Sequence, residues 1–259
     1  MKKIIISMVN QKGGVGKTTC SVNLGASLSQ EGYRVCLVDN DPQNNLTSHL
    51  IDQPIMDPAI VTVEDIYLGG KLQGKRVLKA RDNLNLIPSS KRMIGMELAL
   101  FGHRDKELKL KQGFENLFEG YDFADIIIID NPPSLNTLSL NSLVASTHVL
   151  IPVQLEYFSL EGLSQMRQTI EMVQRDWNPQ LKLLGIIPSL VHSRRRLNHE
   201  VSDAIKDAFP GKLFQAQLKM SVSVTESSGY AKTILEHSPR SKSAQEFKQL
   251  AQEVTRALN

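Results

Sequence analysis

Apolar runs alternate with amphipathic stretches along nearly the whole chain. Ile4 to Val9 is a run rich in β-branched residues, interrupted only by Ser7, and Arg34 to Asp39, Ile126 to Asp130, Val149 to Val153 and Leu183 to Pro188 repeat that texture. Runs without an exposed polar alternation predict strands buried on both faces, as in a parallel sheet. Between them, Thr19 to Gln30 carries Val22, Leu24, Ala26 and Leu28 on a helical pattern that stops at Gly32, and Leu160 to Arg175, Leu197 to Phe209 and Ser243 to Leu258 also read as helices. Met93 to Phe101 and Lys106 to Glu119 have helical spacing, and Lys212 to Gln217 is expected to form a last short strand. From Leu46 to Lys91 the pattern is broken by Pro54, Pro58, Gly69, Gly70 and Gly74, leaving a short helix at Val63 to Leu68 and a short strand at Leu84 to Pro88. Strands alternating with helices predict an α/β fold: a mostly parallel twisted sheet with helices on both faces, its ligand site beyond the strand C-termini. The chain shows neither repeat nor linker, so one domain is expected over residues 1–259.

Composition narrows the setting. The two cysteines, Cys20 and Cys36, lie inside predicted elements without C-x-x-C spacing, which argues for core thiols and against a disulfide framework or zinc site. The six histidines show no metal-ligand spacing, Trp177 reads as a packing residue, and the stretch from Met93 to Leu100 is helix-face material. The apolar run behind Lys2 and Lys3 is too short for a secretory signal, and no stretch approaches a membrane span, so a cytoplasmic protein is expected. A net charge of +3 and a pI near 8.8 permit contact with a polyanion without demanding it. The cations cluster at Arg194, Arg195 and Arg196, with Arg240 and Lys242 near the last helix. A single basic triplet is usually a solvated face; the joint occurrence shifts that reading modestly.

The chemistry begins at Lys12-Gly13-Gly14-Val15-Gly16-Lys17-Thr18-Thr19, between the first strand and the first helix. Glycines let the backbone fold around an anion with its N–H groups pointing inward, and the helix N-terminus adds its own. Lys17 is placed to reach phosphate oxygens and the Thr18 hydroxyl to ligate Mg²⁺. Lys12 has no place in that scheme, and Gln11 stands where the general phosphate-loop pattern has glycine.

Three acids close buried strands on the same predicted edge. Asp39 and Asp41 close the second strand, and Asp130 ends the run Ile126-Ile127-Ile128-Ile129. Any one alone could be a turn or capping acid. Beside a phosphate loop they suit a metal, held directly or through water, and an attacking water.

Four motifs then carry a resemblance: Asn10 to Thr19, Val38-Asp39-Asn40-Asp41-Pro42-Gln43-Asn44-Asn45-Leu46-Thr47, Ile128-Ile129-Asp130-Asn131-Pro132-Pro133, and Pro152 to Leu163. In order and spacing the chain resembles the ParA/MinD group of deviant Walker A P-loop ATPases, and within it the small, Soj-like ParA partition ATPases. The resemblance implies ATP and Mg²⁺ as cofactors and an ATP-dependent homodimer in which two subunits sandwich two nucleotides. It implies that Lys12 reaches the partner's nucleotide, that Lys17 holds the phosphates in cis, and that Asp41 positions the lytic water. Thr18 would ligate the metal with Asp39 and Asp130 in support, and Gly13, Gly14, Val15, Gly16 and Thr19 would contribute to the nucleotide-binding loop.

The resemblance further implies slow hydrolysis accelerated by a ParB-like or other adaptor, and sequence-independent DNA binding by the ATP dimer. A nucleoid-associated protein that distributes a plasmid, chromosome or protein cargo is the expected result. Arg194, Arg195, Arg196, Arg240 and Lys242 are the expected DNA contacts, with Lys219 and Lys232 as weaker candidates. One departure is Leu218-Lys219-Met220-Ser221-Val222-Ser223, where many relatives carry Ile-Pro-Arg-Asn-Val-Arg, which leaves the adenine contacts open.

Two other function classes share the loop. A membrane-associated, MinD-like positioning ATPase would need an amphipathic C-terminal anchor, but Ser243 to Asn259 has Lys248 and Arg256 offset by Glu246 and Glu253, so this helix is expected to pack on the domain. Iron–sulfur carriers and ATP-dependent synthetases also use it, but cluster carriers need cysteines at an interface, and Cys20 and Cys36 fall in element interiors.

Overall fold

Seven strands form one sheet in the order β3-β4-β2-β5-β1-β6-β7. The computed structural model describes residues 3–69, 74–120, 122–191 and 196–259. The strands are β1 (Ile4–Met8), β2 (Val35–Asp39), β3 (Leu78–Arg81), β4 (Leu84–Ile87), β5 (Ile126–Asp130), β6 (His148–Val153) and β7 (Lys182–Pro188). All neighbours pair in parallel except edge strand β3, which runs antiparallel to β4. The helices are α1 (Lys17–Gln30), α2 (Asn45–Leu50), α3 (Val63–Tyr67), α4 (Met96–Phe101), α5 (Lys109–Gly120), α6 (Thr137–Ala145), α7 (Ser159–Asp176), α8 (Arg196–Ala208), α9 (Val222–Gly229), α10 (Ile234–His237) and α11 (Lys242–Leu258).

The unbroken apolar strands are explained by cover on both faces. Along β5, Ile126 and Ile128 join the core with α1 and α11, whereas Ile127 and Ile129 join the opposite core with α3, α4 and α5. A third core packs β6 and β7 against α7 and α8. Helix α11 turns Ala244, Phe247, Leu250, Ala251 and Val254 inward against α1, as its apolar spacing required. Burial of each large side chain among them stabilises the fold by about 1.5–3 kcal/mol.

The differences from the sequence pattern have local causes. Helix α6 was not visible as an amphipathic repeat because Ser139, Asn141 and Ser142 point inward and satisfy their hydrogen bonds there. Helices α2, α9 and α10 are too short for the period to register, and β3 is a four-residue edge strand. The helix expected from Met93 begins as a 3-10 turn at Lys91–Gly95, and the one expected from Lys106 begins as a 3-10 turn before α5. Lys212 to Gln217 forms no strand. It makes an isolated bridge from Leu213 to Ile186, and the Phe214 ring lies over Gly185, where a Cβ would sit 2.4 Å from Cζ.

Candidate functional site

The register of the central strands assembles the site. Asp39 at the end of β2 pairs with Asp130 at the end of β5, and Asp130 is also level with Met8 of β1. The loop leaving β1 and the two acids therefore share one edge at neighbouring strand ends, where an open α/β sheet places its ligand.

That loop is shaped by Gly14 and Gly16, whose φ angles of 73° and 84° lie in the left-handed region that glycine adopts without strain. Gly16 is the N-cap of α1 and offers no side-chain cap, so the first N–H groups of a 14-residue helix have no side chain to bind them. Such an end is suited to an anion. The Ser189 hydroxyl after β7 fixes the loop by donating to Val15 O at 2.8 Å.

Lys17 is buried, 7% exposed, and burial lowers its pKa against the opposing pull of Asp130 and Asp41. The Thr18 hydroxyl donates to Asp130 Oδ2 at 2.7 Å, and Ser21 one turn later lies 3.0 Å from Oδ1. Asp39 accepts from both the backbone N–H and the hydroxyl of Thr47, at 2.8 and 2.7 Å, and from the backbone N–H of Asp41 at 3.3 Å. Burial pushes Asp39 up to about 6 and Asp130 up to about 7, although these hydrogen bonds favour their ionised forms.

Two buried carboxylates in register, with a threonine hydroxyl between one of them and the loop, form a donor set that a divalent cation completes. Among the described residues no three His, Cys, Asp or Glu side chains form a ready-made metal cluster. Mg²⁺ keeps waters and phosphate oxygens in its shell and needs few protein ligands, such as Thr18 with the two carboxylates. The residues present thus fit a magnesium nucleotide. Asp41, 5% exposed, is held in the same turn by its hydrogen bonds from Gln43 N to Oδ1 at 2.9 Å and from Ser89 Oγ to its carbonyl at 3.1 Å.

A cavity opens from Gly16, Thr19 and Cys20 toward Leu218, Met220, Ser221, Val224 and Phe247. Residues 218–221, where the sequence departs from the family pattern, line this cavity beside the first turn of α1.

A family model described as an AAA domain matches residues 2–183. The chain is 39% identical over 256 residues to the sporulation initiation inhibitor protein Soj of Bacillus subtilis (strain 168), covering 96% of this chain and 97% of that one. It is 37% identical over 249 residues to the chromosome-partitioning ATPase Soj of Thermus thermophilus, covering 96% and 94%. The chain belongs to the ParA/Soj family of partition ATPases. Among solved structures it is similar to cobyrinic acid a,c-diamide synthase from Mycobacterium smegmatis with bound ATP analog and magnesium, at TM-score 0.84 and 32% identity over 99% of this chain and 96% of that one.

Within this ParA/Soj chain, Lys12 lies apart from Lys17. Its side chain is half exposed on the outer rim of the loop, where Nζ binds Glu156 Oε2 at 2.6 Å and Gln154 Oε1 at 2.8 Å. Tyr157 and Phe158, next to that glutamate, are exposed and meet edge to face. Arg240 and Lys242 are exposed on either side of Ser241, the N-cap of α11, so two cations stand at the positive end of a helix dipole. Lys219 is turned to Glu246, 3.5 Å away, in the cavity wall; Lys232 is exposed. Arg194 and Arg195 lie outside the described residues, and Arg196 is the first residue of α8.

The sequence reading missed Ser21, Thr47 and Ser189. Thr47 stood inside a quoted motif and Ser21 one helical turn beyond Thr18, but a serine or threonine acquires such a role only when a carboxylate from another strand comes within reach. Cys20 and Cys36 are buried with thiol pKa values pushed up by that burial, as expected of core thiols.

Proposed function

We propose that this chain is a nucleotide-switched positioning ATPase: with Mg·ATP it forms a homodimer that binds DNA without sequence preference, and hydrolysis stimulated by an adaptor releases it. The observation that carries the reading is the separation of the two loop lysines. Lys17 is buried inside the loop, where it would serve its own chain's phosphates, whereas Lys12 is half exposed and paired with Glu156, beside the exposed Tyr157 and Phe158.

In this reading the loop N–H groups and Lys17 hold the triphosphate, and Thr18 with Asp130 and Asp39 holds Mg²⁺ and its waters. When bound, Mg²⁺ would supply positive charge to offset that of the phosphate oxygens. Asp41 orients the water that attacks the γ-phosphorus as the bond to the ADP oxygen breaks, giving ADP and phosphate. Lys12 of one subunit stabilises the charge developing on the other's nucleotide in a closed interface where water is scarce.

Arg194, Arg195, Arg196, Arg240 and Lys242 would supply the phosphate contacts to DNA, and such contacts weaken steeply with salt. Release from DNA then follows loss of the dimer. An adaptor of the ParB kind, carrying a plasmid, chromosome or protein cargo, would set the rate, and the protein would work on the nucleoid. The membrane-bound alternative loses its anchor because the apolar face of α11 is used inside the domain.

The test is binding of purified protein to random-sequence duplex DNA at low salt with ATP and Mg²⁺, with ADP as control. Binding that needs ATP and falls with added salt supports the reading; no binding with ATP overturns it.

A further inference from the structure

Between Asp39, the last residue of β2, and Asp41 in the turn that follows lies a residue that the phosphate chemistry does not use. Asn40 is fully buried, and Asn131, which follows Asp130, is 1% exposed. Asn40 Nδ2 donates to Asn131 Oδ1 at 2.9 Å and to Leu138 O at 3.0 Å, and Asn40 Oδ1 accepts from the Tyr67 hydroxyl at 2.9 Å. Asn131 Nδ2 faces the carbonyls of Met8 and Ile129 at 3.1 and 3.2 Å and the Ser7 hydroxyl at 3.0 Å.

The direction of this chain is forced. Two carbonyls can only accept, so they fix the amide nitrogen of Asn131 and leave its oxygen toward Asn40. Asn40 must then present nitrogen there and to Leu138 O, which leaves its own oxygen for the Tyr67 proton. These amides are paired in one arrangement, and flipping either would set like atoms against each other in a buried site.

We propose that Asn40, Asn131 and Tyr67 are positioning residues that lock the turn bearing Asp39 and Asp41 onto the end of β5 at Asp130, so that hydrolysis, more than ATP binding, depends on them. The backbone supports the same lock, since Asn40 N donates to Asp130 O at 2.9 Å. Phosphate binding relies on residues 12–18 and the start of α1, to which the network makes no direct hydrogen bond; it reaches only Ser7 and Met8 of β1 behind the loop. The placement of water and metal relies on the relative position of three acids, which it does hold, and a small displacement there lowers turnover.

The inference rests on the ATPase reading. The experiment measures kcat and KM for Mg·ATP and the affinity for a fluorescent ATP analogue in the full chain carrying Tyr67→Phe or Asn131→Ala. Val173→Ala on α7, away from the network, is the control for general destabilisation. Expected for Tyr67→Phe is nucleotide affinity within about twofold and kcat lower by about fivefold or more, with Asn131→Ala lower still and the control retaining kcat. Tyr67→Phe keeping kcat within about twofold of the unmodified chain, or the control losing as much as Tyr67→Phe at a matched Tm, overturns the proposal. An unmodified chain that turns over no ATP overturns the ATPase reading itself.

Discussion

Lys12 and Glu156 form an ion pair within one chain, Nζ to Oε2 at 2.6 Å, with both side chains about half exposed. A pair this exposed is worth at most about 1 kcal/mol, so a nucleotide phosphate on a second subunit can displace it. Glu156→Gln is expected to lower the Mg·ATP concentration for dimerisation about two- to fivefold. Lys12→Ala should still bind ATP but dimerise and hydrolyse poorly. Sedimentation velocity across an ATP titration checks both, and a Lys12→Ala protein that dimerises normally refutes the assignment.

Under the proposed mechanism, substitutions at Lys17 and Asp41 should separate binding from hydrolysis. Lys17→Ala should abolish ATP binding, because the loop loses the one ammonium group buried within it. Asp41→Ala should bind ATP and dimerise yet cease to hydrolyse, accumulating on DNA. Equilibrium nucleotide binding and phosphate release measured on the same preparations distinguish the two; normal turnover by Asp41→Ala contradicts its role.

Ser21 lies 3.0 Å from Asp130 Oδ1 and also 3.0 Å from Lys17 O. Its loss leaves Asp130 with Thr18 as its side-chain donor, so the carboxylate is less well oriented for the metal. Ser21→Ala is expected to raise the Mg²⁺ concentration for half-maximal ATPase activity about tenfold. ATP affinity without Mg²⁺ should stay unchanged, and a magnesium titration with an unshifted midpoint rejects the role.

Away from the site, Asp65 at the start of α3 accepts from Lys75 Nζ at 2.6 Å, Thr62 N at 3.0 Å and Arg92 Nη2 at 3.1 Å. Burial works to raise its pKa, but Lys75, Thr62 and Arg92 outweigh that and hold it below the ordinary value. A depressed folded pKa contributes stability above the unfolded value near ~3.9, and that contribution is lost as pH falls through the lower folded value. Lys75→Met should therefore cost about 1 kcal/mol at neutral pH, with the gap to the unmodified chain closing below about pH 4. Urea unfolding at both pH values measures it, and a constant gap speaks against the linkage.

Gly113 of α5 lets α3 approach closely: a Cβ there would lie 2.3 Å from Ile66 O. Gly113→Ala should destabilise the fold by about 1–3 kcal/mol, lowering Tm by several degrees. Because Ile66 precedes Tyr67, the displaced helix should also lower kcat. Calorimetry paired with an ATPase assay tests this, and an unchanged Tm shows that the helices give way freely.

Much of the fold was legible because its signals are local. Four consecutive isoleucines ending at Asp130 require cover on two faces, and Gly14 and Gly16 occupy the two left-handed positions of the loop they mark. Helix α6 was hidden because Ser139, Asn141 and Ser142 are polar residues whose partners come from elsewhere in the chain or fold. Lys212 to Gln217 looked like a strand because apolar residues alternate there, yet Phe214 serves to fill the space over Gly185.

The sequence by itself determined the strands, the anion-binding loop, the three acids and the family. Each is written in residues close together along the chain, where backbone conformation and burial act directly. Tertiary structure alone decided that Asp39 and Asp130 stand in register, that Ser21 and Thr47 orient them, and that Asn40 meets Asn131 and Tyr67. It also decided that Lys12, separated from Lys17 by five positions, faces outward while Lys17 is buried. Most of these relations join residues far apart in the chain, and all depend on positions and directions that only the packed sheet and its helices fix.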